Sequence, residues 1–460
     1  MPGSNRRFTL AATALPLLFL AMSGLSRAAT ITVTTLADPT GARGTCSLRQ
    51  AITNANGQNT AGSTNCSAGS GNNDQIIFAS GLTGTITLGS TLPPITDTNL
   101  AIIGPTGSPG ITISGGGKVQ LINIPAATSR AGPTLFPILN LQLLTLTNGN
   151  SSSAEGGAIN NGGTLNVTNC TFSHNQAADG GAIASEGHLN VSNSTFSDNQ
   201  AGGYCGGAIT SQGLGWASYV IFDTVTNSTF SGNTAFSGSA ICSEFLQVSN
   251  CTFSGNHATA TNGGAVCTSR STIKDSIVAN NIGTNCECGS TGITPSAGYN
   301  ISDDGTCGFG HSTGANGLTI GDNVNPYLAP GLANNGGPTE TIALLGGSPA
   351  IAVVPLSQCT AGTDQRGSPR PAPGDNACDI GAYEFQGPPP PPPPRCPPGE
   401  GWTESASGYQ CHAIPKCPAA CKNGCFVVPA GVPPNNKPGN SKPIFACKNA
   451  QGGIGTFNQQ

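Results

Sequence analysis

Charge is scarce in this chain. Only 8% of its 460 residues are Asp, Glu, Lys or Arg, where about 25% is ordinary. Just 17 are basic, too few for the clustered Lys and Arg that neutralise phosphate, so nucleic acid is not an expected partner. The low charge equally excludes a solvated, charge-rich disordered chain. Aromatic residues are 5% and histidines number five. With so little histidine, and scattered cysteines, zinc sites are a weak reading of the 18 cysteines. Long periodic apolar runs are missing too. No segment beyond the N-terminus is apolar enough to span a membrane. None carries the ten or more residues of 3.6-residue periodicity that a helical solenoid needs.

Glycine, with 66 residues, and proline, with 35, are abundant instead. Residues 1–28 read as a signal peptide. Arg6 and Arg7 precede an apolar stretch from Leu10 to Leu25, and Ser26 and Ala28 stand at the −3 and −1 positions of a cleavage site. Export makes disulfides the default state of the cysteines.

An internal repeat dominates the middle of the chain. Gly-Gly-Ala-Ile or a variant recurs at Gly156–Ile159, Gly180–Ile183, Gly206–Ile209, Gly238–Ile241 and Gly263–Val266. Between these lies Phe-Ser-x-Asn, at Phe172, Phe196, Phe230 and Phe253, with Ile277…Asn280 as a degenerate fifth copy. The unit is about 24 residues, with one insertion. Each unit holds three short apolar runs between Gly and Asn turns, which read as strands. Three strands make one coil, and coils stacked about 4.8 Å apart pair each strand in parallel with its equivalents. The expected fold is all-β, a right-handed parallel β-helix.

In that fold, equivalent residues stack in columns. Phe172, Phe196, Phe230 and Phe253 form an internal ladder. Asn175, Asn199, Asn233, Asn256 and Asn280 stack at a turn, where asparagine tolerates the left-handed conformation. The expected organisation is an N-terminal cap over 29–73, the β-helix over 74–319 and a closure over 320–386. A Pro-rich linker over 387–395 and a Cys-rich module over 396–460 complete it. Ser47-Leu48-Arg49-Gln50 has capping-box spacing ahead of a short cap helix. Candidate disulfides are Cys46–Cys66 beside that helix, Cys242–Cys267 in one column of adjacent coils, and Cys359–Cys378 around a closure loop. Cys170 and Cys251 share a column three coils apart and cannot pair.

Three stretches resemble known families. The alternating Gly-Gly-Ala-Ile and Phe-x-x-Asn motifs resemble the repeats of polymorphic outer-membrane proteins, a β-helical adhesin group. Thr45-Cys46-Ser47-Leu48-Arg49-Gln50-Ala51-Ile52 resembles the CSLREA domain of exported bacterial proteins, with Gln50 in place of the usual Glu. The ordered series Asn325-Pro326, Gly331–Thr339, Gly347–Ile351, Asp364–Gly367 and Asp379–Glu384 resembles the choice-of-anchor Q domain. These resemblances imply an exported protein, extracellular or on the bacterial outer surface, acting as an adhesin-like scaffold for glycans or surface proteins.

A polysaccharide lyase or hydrolase is the alternative, and a passive envelope or matrix component a third. Enzymatic chemistry on such a fold needs convergent carboxylates, or a carboxylate-bound Ca²⁺ with a basic partner. Glu155 and Asp179 each precede a Gly-Gly corner in adjacent coils and are the catalytic or Ca²⁺ candidates; the bland reading is a pair of turn residues. No other cofactor is expected. Asp303 and Asp304 read as a solvated turn. Asp364, Arg366, Arg370, Asp379 and Glu384 read as ion pairs tying down the closure. For binding, Trp216 and Tyr219 lie in an insertion of about eight residues between Ile209 and Phe230, with Tyr204 just upstream. Exposed aromatics there would stack on sugars or anchor a protein; the alternative is packing onto the helix.

Overall fold

The repeat of about 24 residues becomes one coil of four short strands. In one coil these are Ile159–Asn161, Thr164–Thr168, Thr171–Ser173 and Gln176–Ala177; in the next, Ile183–Ser185, His188–Ser192, Thr195–Ser197 and Gln200–Ala201. Each pairs in parallel with its equivalent one repeat on, as in Ile159 with Ile183, Leu165 with Leu189 and Phe172 with Phe196. The first two strands of a coil belong to one sheet. They fuse into single nine-residue strands in the last regular coils, Ile241–Ser249 and Val266–Lys274. The coil therefore has three faces, and the fold is a parallel β-helix.

The structure is a computed structural model. It describes residues 28–38, 43–70, 73–107, 110–126, 136–151, 155–211, 222–261, 263–286 and 298–387, and five strands between 400 and 457. Apart from Ala28 and Gly387, the stretch read as a signal peptide and the Pro-rich linker lie outside the described residues. Among the described residues no helix is long and apolar enough to cross a membrane.

Strand alternation sends one set of side chains inward, and the columns meet along the axis. Phe172, Phe196, Phe230 and Phe253 stack with ring centroids 4.9, 4.8 and 4.8 Å apart. That is the strand spacing itself, and all four rings are buried. The asparagine column runs beside them. Asn199 donates from Nδ2 to Asn233 Oδ1 at 2.9 Å and to the Phe172 carbonyl at 3.0 Å. Its Oδ1 accepts from the Asn175 side chain and backbone at 2.9 and 3.1 Å. A buried amide thus meets its full bonding capacity.

Several details differ from the sequence expectation, the first being that a coil has four short strands rather than three, two of them sharing one sheet. The ladder asparagines do not hold the left-handed turn; the residues just before them do, namely His174, Asp198, Gly232, Gly255 and Asn280, with φ between 54° and 77°. Asn280 therefore fills the turn slot. The rung above Asn256 is Asn281, whose Oδ1 accepts from Asn256 at 3.0 Å. Val278, not Ile277, lies in register with Phe253.

The Gly-Gly corner has two separate causes. Gly180 sits at φ 63°, which an L side chain rarely adopts. Its neighbour Gly181 has no room, since a Cβ there would lie 2.2 Å from the Gly207 carbonyl oxygen of the next coil.

The open N-terminal edge is covered by the helix Leu48–Gly57, which Ser47 and Gln50 start with a reciprocal capping box. Leu48, Ala51, Ile52 and Ala55 are buried in one core with Ile31 and Ile76 of the first coils. Cys46–Cys66 staples this cap. At the other end, residues 298–387 do more than close the last coil. They fold back along the threonine face as a strap. Gln365 bonds Thr195 and Thr229 of adjacent coils at 2.8 and 2.6 Å, and the Ala382 amide donates to Thr252 Oγ1 at 3.0 Å. Buried ion pairs hold the strap together: Arg366 with Asp364 at 2.6 Å and Arg370 with Glu384 at 2.9 Å. Asp379 and Glu384 share that pocket. Burial pushes both carboxyls up, and for Asp379 the neighbouring Glu384 adds to the rise.

The chain divides at Gly387 into this unit and a second, Pro388–Gln460. In the second unit Glu400–Ser405 pairs antiparallel with Gly408–Ala413, and Cys425–Val428, Ile444–Lys448 and Ile454–Phe457 form a three-stranded antiparallel sheet.

Candidate functional site

The corner ahead of each Gly-Gly pair carries a different residue in each coil. Glu155, Asp179, Cys205 and Ser237 follow one another there, and Cys205 bridges to Ser237 in parallel. The coil between Asn199 and Gly206 has two more residues in this corner than its neighbours, Gly202 and Gly203. Asp179 holds this wider turn. Its Oδ1 accepts from the backbone N–H groups of Tyr204 and Cys205 at 2.8 and 2.7 Å. Gly203 passes so close beneath that a Cβ would meet the Ala178 carbonyl oxygen at 2.7 Å.

The widened turn lifts Tyr204 off the surface. Its side chain is 65% exposed and leans on Phe236 of the next coil, itself 47% exposed, with ring centroids 5.6 Å apart. Sequence reasoning missed Phe236. The signal was there: it occupies the same corner one coil after Tyr204, a place where the coil before Tyr204 carries Ala178. Trp216 and Tyr219 lie outside the described residues.

A disulfide fixes this corner, but not the expected one. Cys242 bonds Cys205, with Cα atoms 5.8 Å apart, rather than Cys267. Cys267 is itself disulfide-bonded and does stand in register with Cys242. Side chains in register on parallel strands project side by side about one strand spacing apart, wider than the roughly 3.8 Å between Cβ atoms that a disulfide prefers. The tight corner instead folds position 205 against position 210, where Cys205 Sγ lies 3.6 Å from Thr210 Oγ1. Cys242 is the register partner of Thr210. Cys359–Cys378 and Cys286–Cys307 are also bonded. Cys170 and Cys251 are free thiols, fully buried, each pushed up to about 12 by burial.

The carboxylates near the corner have unequal freedom. Asp179 is committed to the turn. Glu155 is half-buried; burial, then the nearby Glu186 and Asp179 carboxylates, hold its carboxyl above the ordinary range. Glu186 is the third acid that sequence spacing did not reveal. Among the described residues no three His, Cys, Asp or Glu side chains converge closely enough to hold a metal ion. Asp303 is exposed and Asp304 partly so, but the pair is also bonded within the fold. Asp304 accepts from Ser302, Thr306 and the Asn285 amide, and Asp303 from the Asn280 amide and the Asn285 side chain. Together they cap the last regular coil beside Cys286–Cys307.

Residues 169–186 and 250–269 match the family model of the Chlamydia polymorphic membrane protein repeat. Each matched segment runs from a left-handed asparagine through the Thr-Phe-Ser strand and the asparagine rung to the Gly-Gly corner. The repeats are thus similar to that family in the residues that build the coil. No curated protein and no solved structure matches the chain.

Proposed function

We propose that the protein is an exported β-helix scaffold, secreted or held at a bacterial outer surface, that binds glycans or surface proteins in the manner of an adhesin. The observation that carries this reading is the Tyr204–Phe236 pair, two exposed aromatic rings on adjacent coils joined by a disulfide. Exposed aromatics on a rigid corner supply large contact area at low entropic cost, and one ring face with a nearby carboxylate suits a sugar. The polymorphic-membrane-protein-like repeats, the signal-like residues 1–28 and the CSLREA-like start support export. The residues that resemble the choice-of-anchor Q domain include Thr339, Asp364, Gln365, Arg366, Asp379 and Glu384, which build the strap and its ion pairs.

The test is retention of the protein on immobilised bacterial envelope polysaccharides and surface-protein fractions. Retention should fall at least about tenfold in Tyr204→Ala and in Phe236→Ala, the loss expected when a buried aromatic anchor is truncated. Equal retention of wild type and both variants contradicts the aromatic site. A second reading, glycoside hydrolysis, rests on one observation, the raised Glu155 carboxyl beside Glu186 and Asp179. It requires cleavage that disappears in Glu155→Gln.

A further inference from the structure

The threonine face that receives the strap is longer than the strap. In register, Thr85 pairs with Thr112, Thr112 with Thr145, Thr145 with Thr171 and Thr171 with Thr195. The same column continues through Thr229 to Thr252. The strap takes the last three. Thr195 donates to the Glu340 carbonyl at 2.5 Å, Thr229 donates to Gln365 Oε1, and Thr252 accepts from Ala382 N. All three are buried. The first four are not: Thr85 is exposed, and Thr112, Thr145 and Thr171 are partly exposed. Among the described residues no protein group bonds their hydroxyls.

Resting on the binding-scaffold reading above, we propose that the open half of this threonine row is a docking track for a linear, uncharged β-1,4-linked glycan. The track extends an interface already present. Every bond the strap makes to the row is a neutral O–H···O or N–H···O contact, so the row selects hydrogen-bonding groups. The outward residues of the open coils, Thr85, Thr87, Thr112, Ser114, Thr145 and Thr171, carry no charge, which disfavours an ionic polymer. Repeat length argues against a peptide. An extended chain advances about 3.3 Å per residue, out of step with coils stacked about 4.8 Å apart. The strap itself meets the row only through three separate passes, at residues 340, 365 and 382. The sugar rings of a β-1,4 glycan repeat close to the coil spacing, so successive hydroxyls can meet successive threonines. The track is pre-ordered by the β-helix, so little is lost in ordering it on binding.

Titration calorimetry of the full chain with cellohexaose and chitohexaose tests this. Wild type should bind at least one of them. The triple variant Thr112→Val, Thr145→Val, Thr171→Val should bind at least about tenfold more weakly, while Asn280→Gly, outside the row, binds as wild type does. Valine keeps the strand-forming shape, and an unchanged far-UV spectrum with unreactive Cys170 and Cys251 thiols verifies the fold. Undiminished hexaose binding by the triple variant overturns the track, as does absence of hexaose binding in wild type. In either case Tyr204-dependent retention on envelope fractions would leave the scaffold reading standing.

Discussion

Asp223 occupies a place in the core that its neighbours give to leucine. It lies in register with Leu246, and its strand pairs with that of Leu189. Its carboxylate has two partners, the Ser211 hydroxyl and the Leu189 amide. They do not offset its burial, which raises the carboxyl to about 6. The folded protein therefore holds this proton more tightly than the unfolded chain. Stability from this residue is full below the ordinary carboxylate range and falls as pH rises toward 6, and the loss is complete above it. Asp223→Asn removes the cost of the charge. Its stability relative to wild type should improve by about 3 kcal/mol between pH 3.5 and pH 7.5, since each tenfold difference in proton affinity is worth about 1.36 kcal/mol. Paired urea titrations at the two pH values measure this. A difference that is flat with pH would show the carboxylate to be solvated.

The register of each coil is an element-scale property, and the asparagine column reports on it. Phenylalanine spacing alone allows either Asn280 or Asn281 as the last rung, because Ile277 and Val278 both have an asparagine three residues on. Backbone conformation decides. The slot before the rung is left-handed, and Asn280 holds it at φ 59°. Asn281→Ala should cost at least about 2 kcal/mol, since it leaves Asn256 Nδ2 short of a partner and removes the bond to the Phe253 carbonyl. Asn280→Gly should be neutral to within about 0.5 kcal/mol, because glycine accepts the same φ. Thermal unfolding of the two variants separates the registers, and the reverse order of cost would refute this one. The phenylalanine ladder, the Gly-Gly corners and the cap helix were legible in the sequence because each repeats a residue type that one physical cause demands. The Cys205–Cys242 bond and the Phe236 partner of Tyr204 were not. They depend on how tightly a corner folds, and a two-residue insertion changes that without altering the repeat.

At the scale of the molecule, the strap ties coils far apart in sequence into one body. The Gln365 side chain alone reaches four partners: its Oε1 accepts from Thr229, and its two N–H groups are shared among Thr195, Thr339 and the Glu340 carbonyl. Gln365→Ala should release it locally. At about 1 kcal/mol net for each bond, protection of amides around 339–341 and 363–368 should fall by about 2–4 kcal/mol while the phenylalanine column stays protected. Hydrogen exchange resolved by peptide checks this; loss of protection throughout would mean that strap and coils open together. The charged residues of the strap were visible in the sequence as a dense group. The path of the strap was not, because its contacts reach back across the threonine row over sequence separations as large as 170 residues. Nothing local encodes that return.

A scaffold that binds and an enzyme that cleaves would both be retained on a polysaccharide, and only the products differ. The most direct measurement incubates the full oxidised protein with a broad polysaccharide panel, with and without Ca²⁺, and examines bound protein and released sugars by mass spectrometry. The account predicts retention dependent on Tyr204 and no new oligosaccharides. Defined oligosaccharide products that vanish in Glu155→Gln would contradict it and make the Glu155 corner an active site.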